Sequence, residues 1–74
     1  MFIMLTQEEG SKDIIINVNS ISAYREISKY IVQEHSGKLE NCKLTEILLN
    51  TGHKFDVKES INKINKKIGL NQYV

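Results

Sequence analysis

The side chains best equipped for chemistry are one thiol, two imidazoles and a lysine-rich stretch toward the C-terminal end. A thiol nucleophile needs a base to draw off its proton and donors to hold the developing oxyanion. His35 lies seven residues before Cys42 with Gly37 between them, and nothing in that spacing makes them meet. A metal site needs three or four ligands at workable spacing, and Cys42, His35 and His53 make no compact set. The expectation is an inert cysteine, surface or turn histidines, no catalytic residue, no metal and no cofactor.

Lys54, Lys58 and Ser60 offer a different chemistry. Ser60 and Glu59 stand where a helix should begin, and there hydroxyls and carboxylates satisfy free backbone N–H groups. The same N–H groups, with Lys58 beside them, also suit a phosphate or carboxylate. Capping is the plainer reading; Lys54, Lys58 and Ser60 stand as candidate ligand- or anion-binding residues.

Charge is unevenly spread. Residues 1–52 hold five basic and seven acidic side chains, whereas residues 53–67 hold five lysines against Asp56 and Glu59. A basic segment of this kind can meet phosphate in nucleic acid or in a nucleotide, which makes Lys63, Lys66 and Lys67 candidate nucleic-acid contacts. The bland alternative is a solvated helix face whose lysines complement the macrodipole. Tyr24, Tyr30 and Phe55 do not form an aromatic RNA-binding pattern, so base stacking lacks support.

These residues must be positioned by short elements. Phe2–Thr6 and Asp13–Val18 are β-rich runs flanking Gly10-Ser11, which suits a two-residue type II′ hairpin turn. Ile14 and Ile16 should share one side and Ile15 the other, and a strand apolar on both faces should be central or covered. Asn17–Ser20 is turn-prone, because short Asn and Ser side chains bond nearby backbone. A third strand runs from Ile21 to about Arg25 or Glu26. Ser28–His35 is ambiguous: Ile27, Tyr30 and Ile31 fit a short helix that Gly37 could end, and Tyr30-Ile31-Val32 equally suits a strand. The short helix is the preferred reading.

Lys43–Leu49 and Lys54–Val57 flank Asn50-Thr51-Gly52-His53. Thr51 resists positive φ, so a three-residue loop with Gly52 in the left-handed region is expected there. Ile61, Ile64 and Ile68 then lay one apolar stripe of a helix toward the sheet. Asp56 and Glu59 have the spacing of a capping box, Gly69 ends the helix, and Leu70 could fold back onto Ile64. The expected fold is α+β: a small twisted antiparallel sheet of about five short strands packed by a C-terminal α-helix.

Seventy-four residues make one domain, 1–74, that hides only about 60 % of its unfolded surface, so a deep enclosed site is not expected. Hydrophobic residues at 41 % and charged ones at 26 % exclude wholesale disorder. A net charge of +1 disfavours nucleic acid as an obligatory partner. The single cysteine points to a reducing compartment, and Phe2–Leu5 is too short for a signal-peptide core or a spanning helix. A cytoplasmic protein without membrane attachment is expected. Ile, Asn and Lys supply 27 of the 74 residues, the amino acids of A/T-rich codons.

The stretch Ile47-Leu48-Leu49-Asn50-Thr51-Gly52-His53-Lys54-Phe55-Asp56-Val57-Lys58-Glu59-Ser60-Ile61 resembles the second half of the small flagellar FlbD-like proteins. Those show a strand, an Asn-Gly turn, a short aromatic strand, then Val-Lys-Glu-Ser-Val and a helix. Ile3-Met4-Leu5-Thr6 and Lys12 through Asn17, with Ile21, are similar to the family's first half. The match spans roughly residues 2–22 and 44–68, and Val57-Lys58-Glu59-Ser60 is its most specific piece. Thr51-Gly52 replaces the family's Asn-Gly, Gly10 comes one position early, and about fifteen residues between Arg25 and Lys43 look inserted. Such inserts are common in the phage and prophage relatives of that family, so the resemblance leans toward a phage or prophage origin. The resemblance implies a small β-rich fold with a C-terminal helix and no established catalytic residue.

The expected function is a non-enzymatic binding or regulatory module, phage- or prophage-borne, that docks onto a host protein or self-assembles. The alternatives are an oligomeric sponge holding a phosphate-bearing nucleotide on Lys54, Lys58 and Ser60, and a weak nucleic-acid binder. Apolar Met1, Phe2 and Met4, with Tyr73 and Val74, either complete a core or meet a partner. The strand edges at Phe2–Thr6 and Lys43–Leu49 are candidates for pairing with a second copy in a homo-oligomer.

Overall fold

A computed structural model of the chain describes residues 1–69, so Leu70, Tyr73 and Val74 and the readings placed on them lie outside the described residues. The order of elements is β1 (Phe2–Thr6), β2 (Asp13–Asn17), β3 (Ile21–Val32), β4 (Leu39–Leu49), β5 (Lys54–Val57) and α1 (Ile61–Ile68). β1 and β2 form an antiparallel ribbon; β3, β4 and β5 form a second antiparallel sheet with β4 at its centre. The α+β class, the five strands and the C-terminal helix expected from the sequence are all present.

The two sheets are joined through backbone. Gln7 bridges Val57, the Glu8 N–H donates to the Asp56 carbonyl at 2.9 Å, and the Lys58 N–H donates to the Thr6 carbonyl at 2.8 Å. β5 therefore has β4 on one side and the end of β1 on the other. Ile3 and Leu5 from β1, Ile16 from β2, Ile47 from β4, Val57 from β5 and Ile64 from α1 form one buried cluster. Period-two alternation in the strands and the helical stripe in α1 put these residues on inward faces. Ile68 packs against the cluster, as do Ile14, Tyr24 and Phe55.

Five local expectations need correction. The stretch read as a short helix is the second half of β3, which continues unbroken to Val32 and pairs residue by residue with Leu39–Lys43. Only the loop keeps a helical turn: the Gly37 N–H donates to the Gln33 carbonyl at 2.7 Å, with Gly37 at φ +66°. The first hairpin is wider than a two-residue turn. Its loop closes through the Gln7 N–H and the Lys12 carbonyl, with a 3-10 turn over Glu9–Ser11 and both Gly10 and Ser11 at positive φ. Asp56 does not cap α1, because it belongs to β5; the cap is Ser60, whose hydroxyl accepts from the Lys63 N–H at 3.2 Å.

Ile15 is neither central nor covered, but 71 % exposed on the ribbon's outer face. Lys43–Leu49 is no free edge, since β4 is flanked by β3 and β5 over Thr45–Leu48. The long free edge of that sheet is β3.

The last hairpin follows expectation. Asn50, Thr51 and Gly52 form a loop closed by the Leu49 N–H and the His53 carbonyl at 2.9 Å, with Gly52 at φ +93°. A Cβ added at Gly52 would meet nothing within 4 Å, so only backbone conformation forbids a larger residue there. Gly52→Ala should therefore lower the unfolding free energy by about 1 kcal/mol, read as a lower urea midpoint at unchanged slope.

Candidate functional site

The four residues Val57–Ser60 each have a place in the junction between β1, β5 and α1. Val57 is fully buried. Lys58 gives its backbone N–H to Thr6, and its ammonium donates to the Ser11 hydroxyl in the first hairpin loop. Glu59 reaches across to β1: its Oε1 accepts from the Thr6 N–H at 2.8 Å and its Oε2 from the Thr6 hydroxyl at 3.0 Å. The Glu59 carbonyl in turn accepts from the hydroxyl of buried Thr45 at 2.7 Å. Ser60 then caps the helix. Glu59 was expected to cap the helix, but its carboxylate serves Thr6 instead, a pairing that no local spacing announces between residues so far apart in the chain.

Partial burial acts to raise the Glu59 carboxyl. The hydrogen bonds from the Thr6 and Glu59 N–H groups and the Thr6 hydroxyl, with the Lys67 charge, overcome it and hold the group below its ordinary value of 4.5.

The candidate anion residues do not converge. Lys54 lines a shallow groove of about 280 Å³ with Gln7, Glu8, Lys29, Glu46 and Asp56. In that groove Lys29 is already matched, its ammonium 3.4 Å from Asp56 Oδ2 and 3.7 Å from Glu8 Oε2. Lys58 lines a broader groove of about 730 Å³ that runs between the Glu8–Ser11 loop and the outer half of β3 and β4. Ile31 and buried Leu44 supply its apolar wall, and Glu8, Glu9 and Glu34 give its polar side more acidic than basic character beside Lys43 and Lys58. Ser60 turns its hydroxyl to its own helix. Lys63, Lys66 and Lys67 share α1 and are all exposed.

Cys42 and His35 both border the broad groove, yet the partner of the thiol is Gln33, whose Nε2 donates to Sγ at 3.8 Å. His53 pairs through Nδ1 with the Thr51 hydroxyl at 2.8 Å in the Gly52 loop. Among the described residues no group of three His, Cys, Asp or Glu side chains could hold a metal ion, and no helix is long and apolar enough to cross a membrane.

What the residue types did not announce is the distribution of exposed apolar groups. Phe2, Met4 and Ile15 stand on the outer face of the β1–β2 ribbon, while Tyr30, Val32 and Leu39 stand on one face of the β3–β4 hairpin near its tip. The sequence marked Met1, Phe2 and Met4 as residues that complete a core or meet a partner and set Ile15 apart from Ile14 and Ile16, but nothing local set Tyr30, Val32 and Leu39 apart.

Because Glu59 ionises more readily when folded, its contribution is present above pH 4.5 and is lost as the pH falls through its lowered folded value. Glu59→Gln should cost on the order of 1 kcal/mol at pH 7. Urea titrations from pH 7 to pH 3 should show that difference shrinking as the medium is acidified, and a constant difference would refute the assignment.

The chain matches no protein-family model, no curated protein and no solved structure, so what it does must be argued from its residues and their geometry.

Proposed function

We propose that the protein is a non-enzymatic binding or regulatory module of FlbD-like type, phage- or prophage-encoded, which docks onto a host protein or assembles with itself. One observation carries this reading: among the described residues the exposed large apolar side chains, Met1 apart, are grouped on two sheet faces instead of being scattered. Contiguous exposed apolar groups on a small domain mark places where another macromolecule lands. The tip of the β3–β4 hairpin suits the first role. Val32 and Leu39 are directly paired there, Tyr30 is two residues away on the same face, and all three are exposed.

The nucleotide-sponge and nucleic-acid readings draw less support. Lys54, Lys58 and Ser60 point their polar atoms to different surroundings, and the broad groove that Lys58 borders carries three glutamates. Lys63, Lys66 and Lys67 remain accessible; Lys66 and Lys67, on the last turn, also fit the helix dipole, whereas Lys63 lies in the first turn.

Replacing Val32 and Leu39 with Asp should leave the thermal midpoint within about 4 °C of wild type, because neither side chain touches the core. The same double variant should lose any host protein that the wild type captures from an extract. A wild-type chain that captures nothing and stays a single chain at high concentration would sink the reading. Calorimetric binding of a mononucleotide abolished by Lys58→Ala would put the sponge in its place.

A further inference from the structure

We propose that the free edge of β2 is a dimerisation surface, and that its partner is β2 of a second copy of this chain, running antiparallel about a two-fold axis at Ile15. The inference names a surface for the self-assembly arm of the binding-module reading and rests on that reading for its use in the cell.

The pairing of β1 with β2 determines which backbone groups are left over. The Val18 N–H donates to the Met1 carbonyl at one end of the ribbon, and the Gln7 N–H to the Lys12 carbonyl at the other. With the register Phe2↔Asn17 to Thr6↔Asp13, alternation makes Ile3–Ile16 and Leu5–Ile14 the bonded pairs between them. The N–H and C=O groups of Asp13, Ile15 and Asn17 consequently point away from β1. Antiparallel pairing with a second β2 uses all of these groups only when Ile15 faces Ile15 and Asp13 faces Asn17, which closes six backbone hydrogen bonds, the two to the Asn17 carbonyls shared with the Val18–Ser20 turn that Asn17 caps. Shifting the register by two residues leaves a third of them unused.

The side chains agree with that register. Asp13 would lie opposite Asn17 of the other copy at each end, an acceptor facing a donor. Asn17 Oδ1 already accepts from the Asn19 N–H at 3.0 Å, which leaves its amide hydrogens for the carboxylate across the axis. No like charges meet. On the outer face the join brings Met4 and Ile15 of one copy beside Ile15 and Met4 of the other, with Phe2 on the diagonal; these side chains are 53 %, 71 % and 68 % exposed in one chain. A two-fold perpendicular to the sheet keeps both outer faces on the same side, so their apolar groups form one stripe.

The β3 and β5 edges are treated differently. β3 carries a bulge at Ser22, between the Ile21 and Ala23 pairs, and exposed Arg25, Glu26 and Lys29 along its length. Bulges and charges are how soluble proteins blunt an edge. The β5 edge is filled by Gln7 and Glu8, and the Thr6 end of β1 is occupied by Lys58 and Glu59. β2 has three consecutive isoleucines, no bulge, no lysine and no proline. Between Asp13, its one charge, and Asn17, the strand carries no bulge, charge or proline that would oppose pairing.

Light scattering on the full chain tests the proposal. At about 100 μM, far above a micromolar dissociation constant, wild type should run near twice the 8.5 kDa of one chain. Ile15→Lys, at an exposed position, should weaken association at least about tenfold. Geometry has its own test: in a Cys42→Ser background, Ile15→Cys should form an inter-chain disulfide on mild oxidation, since facing bonded residues lie about 5.5 Å apart. A single-chain mass at all concentrations, a dimer indifferent to Ile15→Lys, or cross-linking through Met4→Cys or Ser28→Cys in place of Ile15→Cys would each overturn it. A single-chain protein that still holds a host partner through Val32 and Leu39 would remove this dimer and leave the binding module standing.

Discussion

The carboxylate of Glu59 is the fastening on which the rest depends. It lies at the point where β5 has ended and α1 has not begun, and it takes both the N–H and the hydroxyl of Thr6. Those two bonds, with the backbone ladder from Thr6–Glu8 to Asp56–Lys58, hold the first hairpin against the second sheet. Without them each sheet would be too small to persist: a two-stranded ribbon is marginal alone, and α1 is only eight residues long. The core cluster draws residues from β1, β2, β4, β5 and α1, so it exists only when the junction is closed. Thr45 adds to the same junction from β4, which makes a buried hydroxyl useful where an apolar residue would leave the Glu59 carbonyl unpaired.

Much of this was legible in the chain because the relevant signals are local. Gly52 reads as a loop residue from its own conformational freedom, and Ile61, Ile64 and Ile68 read as a helix face from their mutual spacing. The stretch Ser28–His35 reads as a helix for a definable reason. Ile27 and Ile31 are four apart, a separation common to the periods of helix and strand, so Tyr30 alone tipped the pattern toward a helix. In the structure Tyr30 is exposed and the partner strand Leu39–Lys43 supplies the ladder that decides the matter. The capping box failed through a coincidence of one position: Asp56 and Glu59 have the right spacing, while the hydroxyl at Ser60 does the capping. Thr6 with Glu59, and Tyr24 with Asn65, could not be read at all, since tertiary folding alone brings them together.

The surface divides by chemistry. One face of the second sheet is charged and internally matched, with Lys29 between Glu8 and Asp56 and Arg25 beside Glu46. Exposed pairs of this kind contribute at most about 1 kcal/mol each, so they help orient the first hairpin loop more than they hold the fold. The ribbon's outer face and the hairpin tip are apolar instead, and they lie on separate elements. The core cluster draws on neither of these apolar surfaces.

The two-stranded arm formed by Tyr30–Val32 and Leu39–Asn41 contributes no residue to the core cluster. Each rung there rests only on the rung beneath it, and the amides toward the Gln33–Lys38 loop should trade their hydrogens with solvent well before those of Ile47 or Val57. Arm length is thereby uncoupled from folding. Adding one residue to each strand extends the reach by about 3.3 Å and asks nothing of the interior, which makes the arm the part of this molecule that mutation can lengthen, shorten or re-dress at least expense to the whole.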